Sequence, residues 1–267
     1  MKVRRTTTAT LALLILLIGC AAAREQGAKP AASPAAAPNA KAAAPRTYVF
    51  VHGAWGGGWA FRRVEELLRA RGHTVYRPTL TGLGERRHLA GPHVGLNTHV
   101  EDVVNVLLFE ELRDVVLVGH SYGGMVITGV ADRVPERIRS LVYLDAMVPA
   151  DGESVLGLLG ARAERMKQME KDGLLVPPWV RPDQPPPSDV PHPFKTLTDP
   201  VVYKNEAAKR LPATYILTVE AGAKTDDFDA QAERAKARGW TILRMQADHN
   251  PQRTAPEALV ELLEQTK

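Results

Sequence analysis

The chain has few of the residues that would point to a disulfide scaffold or to a highly charged binding protein. It contains one cysteine among 267 residues, so no intramolecular disulfide can form. Its formal net charge is only +4. Lys2, Arg4 and Arg5 belong to a segment that we interpret as a removable leader, so the rest of the chain is close to neutral. The sequence therefore predicts no nucleic-acid partner.

A hydrophobic run long enough to cross a membrane as a helix is also missing. The apolar run from Leu11 to Ile18 is too short, and it follows basic residues and leads into Gly19-Cys20. This order is typical of a bacterial lipoprotein signal. We therefore expect residues 1–20 to be a signal peptide with a lipid-modified Cys20, so that the mature protein is membrane-anchored and faces the periplasm or the cell exterior. A cleaved secretory signal that happens to contain a cysteine is the alternative.

Residues 21–45 lack aromatic and β-branched side chains and consist mostly of alanine, proline and a few polar residues. Such a composition cannot build a core and predicts a disordered tether. From residue 46 to residue 267, short apolar runs alternate with amphipathic segments. That alternation predicts one α/β domain with a mainly parallel sheet flanked by helices.

The expected elements follow from hydrophobic periodicity and from turn residues. Strands are predicted at Thr47–Val51, Thr74–Arg77, Val115–Val118, Ser140–Leu144, Thr214–Val219 and Trp240–Met245. Helices are predicted at Ala60–Ala70, Thr98–Phe109, Met125–Arg133, Ala230–Arg238 and Pro256–Gln265.

The alternation breaks between about residues 149 and 203, where we predict a cap over the sheet edge. A helix is expected at Leu156–Lys171, whereas eight prolines between Val176 and Phe194 exclude regular structure there. Irregular insertions on an α/β scaffold often determine specificity. Large apolar side chains of the cap and of the first loop are predicted to bind substrate, namely Met166, Met169, Trp179, Phe194 and Trp55.

The most informative motif is Gly119-His120-Ser121-Tyr122-Gly123, which follows a predicted strand directly and precedes a predicted helix. This is the arrangement of a nucleophile elbow, in which a sharp turn presents a serine at the carboxyl end of a buried strand. Small residues on either side of the serine allow the close backbone approach that the turn requires. Ser121 is therefore the predicted nucleophile.

A serine nucleophile needs a base and a third group that orients the base. His249 follows the last predicted strand, which is where this chain order places the base. Asp145 follows its strand directly, without an insertion, and is the preferred acid. Glu220, Asp226 and Asp227, near the end of the next strand, are the alternatives.

Acyl transfer also requires stabilisation of an oxyanion, usually by two backbone N–H groups. One is predicted to come from Tyr122, the residue after the nucleophile. The other is predicted to come from Ala54, in the glycine-rich loop His52–Trp59 after the first strand. That loop lacks the Gly-x-Gly-x-x-Gly spacing of a dinucleotide site. No cofactor and no metal are expected.

With these motifs, the chain resembles the α/β-hydrolase superfamily, and more narrowly the small esterases related to plant methyl-salicylate esterases and hydroxynitrile lyases. Residues Thr79–Arg86 and Leu141–Pro149 also match the corresponding loop and strand of those proteins. The resemblance implies an α/β-hydrolase fold with Ser121 as nucleophile and His249 as base. Plant members carry the acid after the strand that corresponds to Thr214–Val219, where this chain has no unambiguous aspartate.

Two differences separate the chain from the hydroxynitrile lyases that it resembles. Those enzymes carry a threonine where Gly53 stands and a lysine where Asn250 stands. The resemblance therefore implies hydrolysis of small or medium carboxylic esters with an apolar part. A hydroxynitrile-lyase-like enzyme and a non-catalytic binding lipoprotein with a hydrolase fold are the alternatives. No motif identifies the natural ester or the oligomeric state.

Overall fold

The computed structural model describes residues 44–223 and 227–266. In chain order, its strands are β1 Thr47–Val51, β2 Thr74–Tyr76, β3 Val115–His120, β4 Ile138–Leu144, β5 Glu170–Lys171, β6 Leu174–Leu175, β7 His192–Pro193, β8 Ala213–Val219 and β9 Thr241–Gln246. Its helices are α1 Arg62–Ala70, α2 Leu96–Phe109, α3 Gly123–Arg133, α4 Val155–Leu159, α5 Ala163–Lys167, α6 Lys195–Thr198, α7 Glu206–Lys209, α8 Asp229–Ala237, α9 Pro251–Thr254 and α10 Pro256–Gln265.

Six strands form one parallel sheet in the order β2-β1-β3-β4-β8-β9. This architecture confirms the predicted α/β fold with a mainly parallel central sheet. The strand that carries the elbow, β3, lies between β1 and β4, and all six of its residues are buried. A central strand of a parallel sheet is covered on both faces, which explains its continuous apolar sequence.

The sheet separates two hydrophobic cores because successive strand residues point to opposite faces. Tyr48 and Phe50 of β1 belong to the core formed with α1 and α10. Val49 and Val51 belong to the core formed with α2 and α3. The sheet is thereby fixed on both sides, and the loops at its carboxyl edge are held by a rigid scaffold.

The residues between β4 and β8 include the predicted cap. The structure places there three very short antiparallel strands, β5 to β7, and the short helices α4 to α7. The prediction of a single helix over Leu156–Lys171 is wrong. Gly160, with a φ of 55°, ends α4, and the chain continues through a 3₁₀ turn and α5 into β5.

The proline-rich stretch after Val176 is irregular over most of its length, as its composition predicts. The exception is β7, which pairs with Leu174-Leu175 of β6.

The predicted leader with Cys20, and the predicted tether up to residue 43, lie outside the described residues. Within the part of the chain that is described, no helix combines the length and the apolar character needed to span a bilayer.

Candidate active site

Ser121 occupies a sharp turn immediately after β3, with a φ of 54°. A positive φ is strained for a serine, on the order of 1 kcal/mol, so the surroundings must hold it. The Ser121 N–H donates to the Leu144 carbonyl at 3.2 Å, and the Ser121 carbonyl accepts from the Met147 N–H at 3.0 Å. Gly123 lies against β1, where a Cβ atom would stand only 2.5 Å from the Val51 oxygen. Neighbouring strands therefore impose the turn that exposes the serine.

Three side chains form a continuous hydrogen-bonded chain at this edge. His249, in the loop after β9, has its Nε2 atom 3.0 Å from the Ser121 hydroxyl oxygen. Its Nδ1 atom lies 2.6 Å from Oδ2 of Asp145, a fully buried residue directly after β4. The other oxygen of this carboxylate accepts a hydrogen bond from the Thr218 N–H at 3.2 Å. Such a carboxylate keeps the proton on Nδ1 and directs the Nε2 lone pair at the serine.

Asp145 is distinguished from the other acidic residues considered from the sequence by its contact with His249, although Asp227 lines a cavity beside Ser121 and His249. Glu220 is exposed. Asp227 has 86% of its side chain exposed and pairs with Arg162 at 3.4 Å. Asp226 lies outside the described residues. Of the acidic candidates that the structure describes, Asp145 is the one whose carboxylate contacts His249.

The His249 imidazole is held between two other rings. It stacks on Phe228, with ring centroids 4.8 Å apart and planes 13° apart, and its centroid lies 4.7 Å from that of His120. Nε2 of His120 lies 2.7 Å from the His249 backbone oxygen, to which it donates. Burial lowers the pKa of His120 well below its usual range. His120 is therefore a neutral donor that fixes the loop and adds no charge beside His249.

The predicted oxyanion donors, Ala54 and Tyr122, stand on the two segments that meet at the serine. Both line a cavity together with Ser121. Within residues 44–223 and 227–266, neither of their backbone N–H groups donates an intramolecular hydrogen bond. Unpaired N–H groups beside a nucleophile are what oxyanion stabilisation requires.

Two cavities converge on Ser121 and His249. The first, which we call the polar compartment, has a volume of about 210 Å³. The residues that line this compartment and not the second include Trp59, Asp189, Asn250, Gln252 and Arg253. The second, the apolar compartment, has a volume of about 260 Å³. Most residues that line this compartment and not the first are apolar, namely Met147, Val155, Leu159, Met166, Leu197 and Phe228. The polar side chains of Arg162, Asp227 and Gln231 complete its lining. Ser121 thus faces two spaces whose linings differ in chemical character.

The structure brings some of the predicted substrate-binding residues to these cavities and not others. Trp55 and Trp179 line both compartments, and Met166 lines the apolar one. Met169 and Phe194 are instead half-buried against the hydrophobic core and line neither compartment. The structure thus places these two side chains against the core rather than at either compartment.

Phe228 and Asp189 are among the residues at the site that sequence reasoning did not find. Phe228 is a lone aromatic residue before α8, and Asp189 lies in the proline-rich stretch, where no periodicity marks it. Burial raises the pKa of the Asp189 carboxyl, and the positive charge of Arg253 opposes that shift. Among the described residues, no cluster of metal-ligating side chains is found.

Comparison with known families agrees with this geometry. Residues 48–262 match the model of the Alpha/beta hydrolase family. The chain belongs to the alpha/beta hydrolase family. The resemblance drawn from the elbow, the glycine-rich loop and the terminal histidine is thereby confirmed.

Two curated proteins match part of the chain. A carbendazim hydrolyzing esterase from a Nocardioides species is 60% identical over 112 residues, covering 42% of this chain and 46% of the relative. A pyrethroid hydrolase from Sphingobium wenxiniae is 35% identical over 106 residues, covering 39% of this chain and 37% of the relative. The chain spans less than half the length of the curated relatives it matches.

Solved structures of alpha/beta hydrolases match over a longer range. An extracellular alpha/beta-hydrolase from a Paenibacillus species superposes with a TM-score of 0.72 at 24% identity, covering 83% of this chain and 99% of that chain. A methylesterase from Arabidopsis superposes with a TM-score of 0.65 at 22% identity, covering 82% and 98%. At these identities, the likeness shows a common fold.

Proposed function

We propose that this alpha/beta hydrolase is a serine carboxylesterase that acts through an acyl-enzyme on Ser121. The observation that carries the proposal is the hydrogen-bonded chain from Ser121 through His249 to the buried Asp145, at the point where two cavities meet. The names of relatives, which include a carbendazim hydrolyzing esterase and methylesterases, support the same reaction class.

In the proposed reaction, His249 Nε2 takes the hydroxyl proton as Ser121 Oγ attacks the ester carbonyl carbon. Asp145 stabilises the imidazolium that forms, and the N–H groups of Ala54 and Tyr122 stabilise the oxyanion. Collapse of the tetrahedral intermediate breaks the ester C–O bond, and His249 returns the proton to the leaving alcohol. A water molecule, deprotonated in turn by His249, then releases the acid and restores the serine.

The two compartments suggest which esters fit. In the proposed complex, the substituent on one side of the ester bond lies among Met147, Met166 and Leu197, which line the apolar compartment. The substituent on the other side lies near Asp189 and Asn250 of the polar compartment. Small or medium esters with one apolar part and one polar part match this division. Carbendazim and pyrethroids, which the names of two relatives specify, belong in the first substrate screen beside simple aryl esters.

A lyase-like reaction is less compatible with the local packing. Gly53 adjoins the nucleophile so closely that an added Cβ would lie 2.9 Å from His120 Nδ1 and 3.0 Å from Ser121 Cβ. A threonine side chain at this position, as in the hydroxynitrile lyases, therefore has no room without displacement of the elbow. This contact favours ester hydrolysis.

Ser121→Ala tests the proposal. We expect this variant to lose labelling by a fluorophosphonate probe and to lose ~10⁴-fold or more in kcat on p-nitrophenyl esters, because the nucleophile is removed. Ser154→Ala is the matched control, since the Ser154 hydroxyl caps α4 and lines neither compartment. Parent-like hydrolysis by the Ser121 variant would refute the mechanism. A parent enzyme without activity on any ester would refute the function.

We further propose that Cys20 carries a lipid that anchors the protein, on the basis of the leader sequence described above. Expression of the full chain in a bacterium supplied with labelled palmitate should give a labelled protein that partitions into detergent. Cys20→Ala should lose the label and enter the aqueous phase. Equal labelling of both forms would refute lipid attachment at Cys20.

A further inference from the structure

Trp55 has a strained backbone whose polar groups are hydrogen-bonded to residues of the cap. It follows the proposed oxyanion donor Ala54, and its φ of 63° lies in the left-handed region that large side chains rarely adopt. Its N–H group donates to Nδ1 of His192 at 3.2 Å, and its carbonyl accepts from the Val190 N–H at 2.9 Å. Both backbone polar groups of this strained residue are therefore bonded to one segment of the cap.

The surroundings of His192 prepare its imidazole to accept the hydrogen bond from the Trp55 N–H. Its side chain is completely buried, and Nε2 lies 2.7 Å from Oγ1 of Thr196, which in turn donates to the Pro193 carbonyl at 2.7 Å. Because the Thr196 hydroxyl proton is used on that carbonyl, Thr196 accepts from His192 Nε2–H. The proton is thus placed on Nε2, and Nδ1 keeps the lone pair that receives the Trp55 N–H.

The same imidazole also contacts the residue that supplies the second oxyanion donor. Its ring meets the Tyr122 ring edge-to-face, with centroids 5.0 Å apart. The Tyr122 hydroxyl is fixed on its far side by Nδ1 of His99 at 2.9 Å. His192 therefore bonds the residue after one proposed donor and packs against the side chain of the other.

We propose that His192 is a positioning residue that ties the cap to the oxyanion hole and holds the two donor N–H groups in register. This inference rests on the proposed esterase function. His192 does not touch the reacting atoms, and it acts through Trp55 and Tyr122. Small displacements of oxyanion donors are costly because their value depends on alignment with charge that develops only in the transition state.

The neutral form of the imidazole is the one that the geometry needs. The groups that face it include the Tyr122 ring, the Thr196 hydroxyl, the N–H and ring of Trp55, and the neighbouring His99 ring at 5.9 Å. Burial lowers the pKa of His192 well below its usual range, and the positive charges of His99 and His52 would add to that effect. Nδ1 therefore remains an acceptor at neutral pH.

The test compares His192→Leu with His192→Asn. Leucine fills similar space but offers no acceptor, whereas the asparagine side-chain oxygen occupies roughly the place of Nδ1. We expect His192→Leu to lose ~10²-fold in kcat with KM changed by less than about threefold, because donor alignment matters in the transition state and not in the ground state. We expect His192→Asn to recover most of that loss.

A second readout separates positioning from general stability. A trifluoromethyl ketone forms an oxyanion on attack by Ser121, so its affinity should fall by the same factor as kcat in His192→Leu. His93→Leu, at an exposed histidine, is the control and should change neither quantity. If His192→Leu does not fold, His192→Gln replaces it, because its oxygen lies near the place of Nε2 and cannot reach the Trp55 N–H.

The outcomes are distinct. Parent-like kcat and ketone affinity in His192→Leu would overturn the positioning role, and so would equal losses in the asparagine and glutamine variants. A rise in KM with an unchanged kcat would assign His192 to substrate binding and would also overturn the proposal. An inactive parent, or an active Ser121→Ala variant, would instead refute the proposed function itself.

Discussion

At the residue scale, the site depends on a carboxylate that water does not reach. Asp145 is completely buried and has a φ of 44°, and its backbone N–H donates to the Ile216 carbonyl of β8 at 2.8 Å. One carboxylate oxygen receives the Thr218 N–H and the other contacts His249. A buried carboxylate with both oxygens occupied has little freedom to turn, so it orients the imidazole.

Asp145→Asn is expected to leave the protein folded and to reduce kcat on p-nitrophenyl esters by ~10⁴-fold. The amide has nearly the same shape but favours the wrong imidazole tautomer. The measurement is steady-state hydrolysis, with circular dichroism to verify folding.

Glu220→Gln and Asp227→Asn are the controls, because both carboxylates are exposed. Asp227 lines the apolar compartment, but its carboxylate pairs with Arg162 and not with His249. These two variants should keep most of the parent activity. The reverse ranking would move the acid to the loop after β8 and leave Asp145 a structural residue.

The sequence predicts a site residue well when a local pattern marks it. Ser121 lies in a strand-turn-helix motif, and His249 lies between the last strand and the last helix, so both were predicted from chain order. The choice of Asp145 over Glu220, Asp226 or Asp227 needed the structure, because it depends on which loop folds back to the imidazole. Phe228 and His192 reach the site only through tertiary packing, which no local pattern records.

At the element scale, the elements of the sheet domain follow from local sequence patterns, whereas those of the cap depend on tertiary packing. β1 and α10 have the predicted bounds, and the other long elements differ by one or a few residues. Most of them are long enough to show either a continuous apolar run, as in β3, or a helical period. The cap elements are two to five residues long. Elements this short show no measurable period, so their existence follows from contacts with the sheet domain rather than from the local sequence.

Trp179→Ala tests the role of the cap in substrate choice. Trp179 lines both compartments, meets Trp55 edge-to-face at 5.3 Å, and is 52% exposed. We expect the ratio of kcat/KM between an apolar and a polar p-nitrophenyl ester to change by roughly tenfold, because one contact surface of the pocket is removed. The melting temperature should change little because the side chain is half exposed.

Phe109→Ala is the matched control, since this aromatic side chain is 85% exposed at the end of α2 and lines neither compartment. It should leave the ester ratio unchanged. An unchanged ratio in Trp179→Ala, combined with a large fall in melting temperature, would show that Trp179 is part of the core and not of the specificity pocket.

At the scale of the whole molecule, four imidazoles are kept neutral inside the protein. Burial lowers the pKa of each below the ordinary value of 6.5, to about 4 for His52 and for His99 and well below the usual range for His120 and His192. As the pH falls from 6.5 towards 4, the unfolded chain binds protons that the folded protein does not bind. The free energy of unfolding therefore falls over that interval.

We expect this loss to reach on the order of 3 kcal/mol for each group that shifts from 6.5 to about 4. Urea unfolding between pH 7.5 and 4 measures it. His99→Gln should make the dependence on pH less steep, whereas His93→Gln, at an exposed histidine, should not change it. A free energy of unfolding that is constant over this range would contradict neutral burial of these groups.

The position of Asp145 after β4 has a consequence for how the chain could be divided. His249 is 128 residues from Ser121 and 104 residues from Asp145, and only His249 lies beyond the exposed segment that follows β8. A chain cut within residues 220–223 would leave the proposed nucleophile, acid and oxyanion donors, with the whole cap, on one fragment. The other fragment would carry the base, with α8, β9, α9 and α10. Under the proposed mechanism, neither half hydrolyses an ester alone, so activity recovered on mixing would report directly on their reassociation.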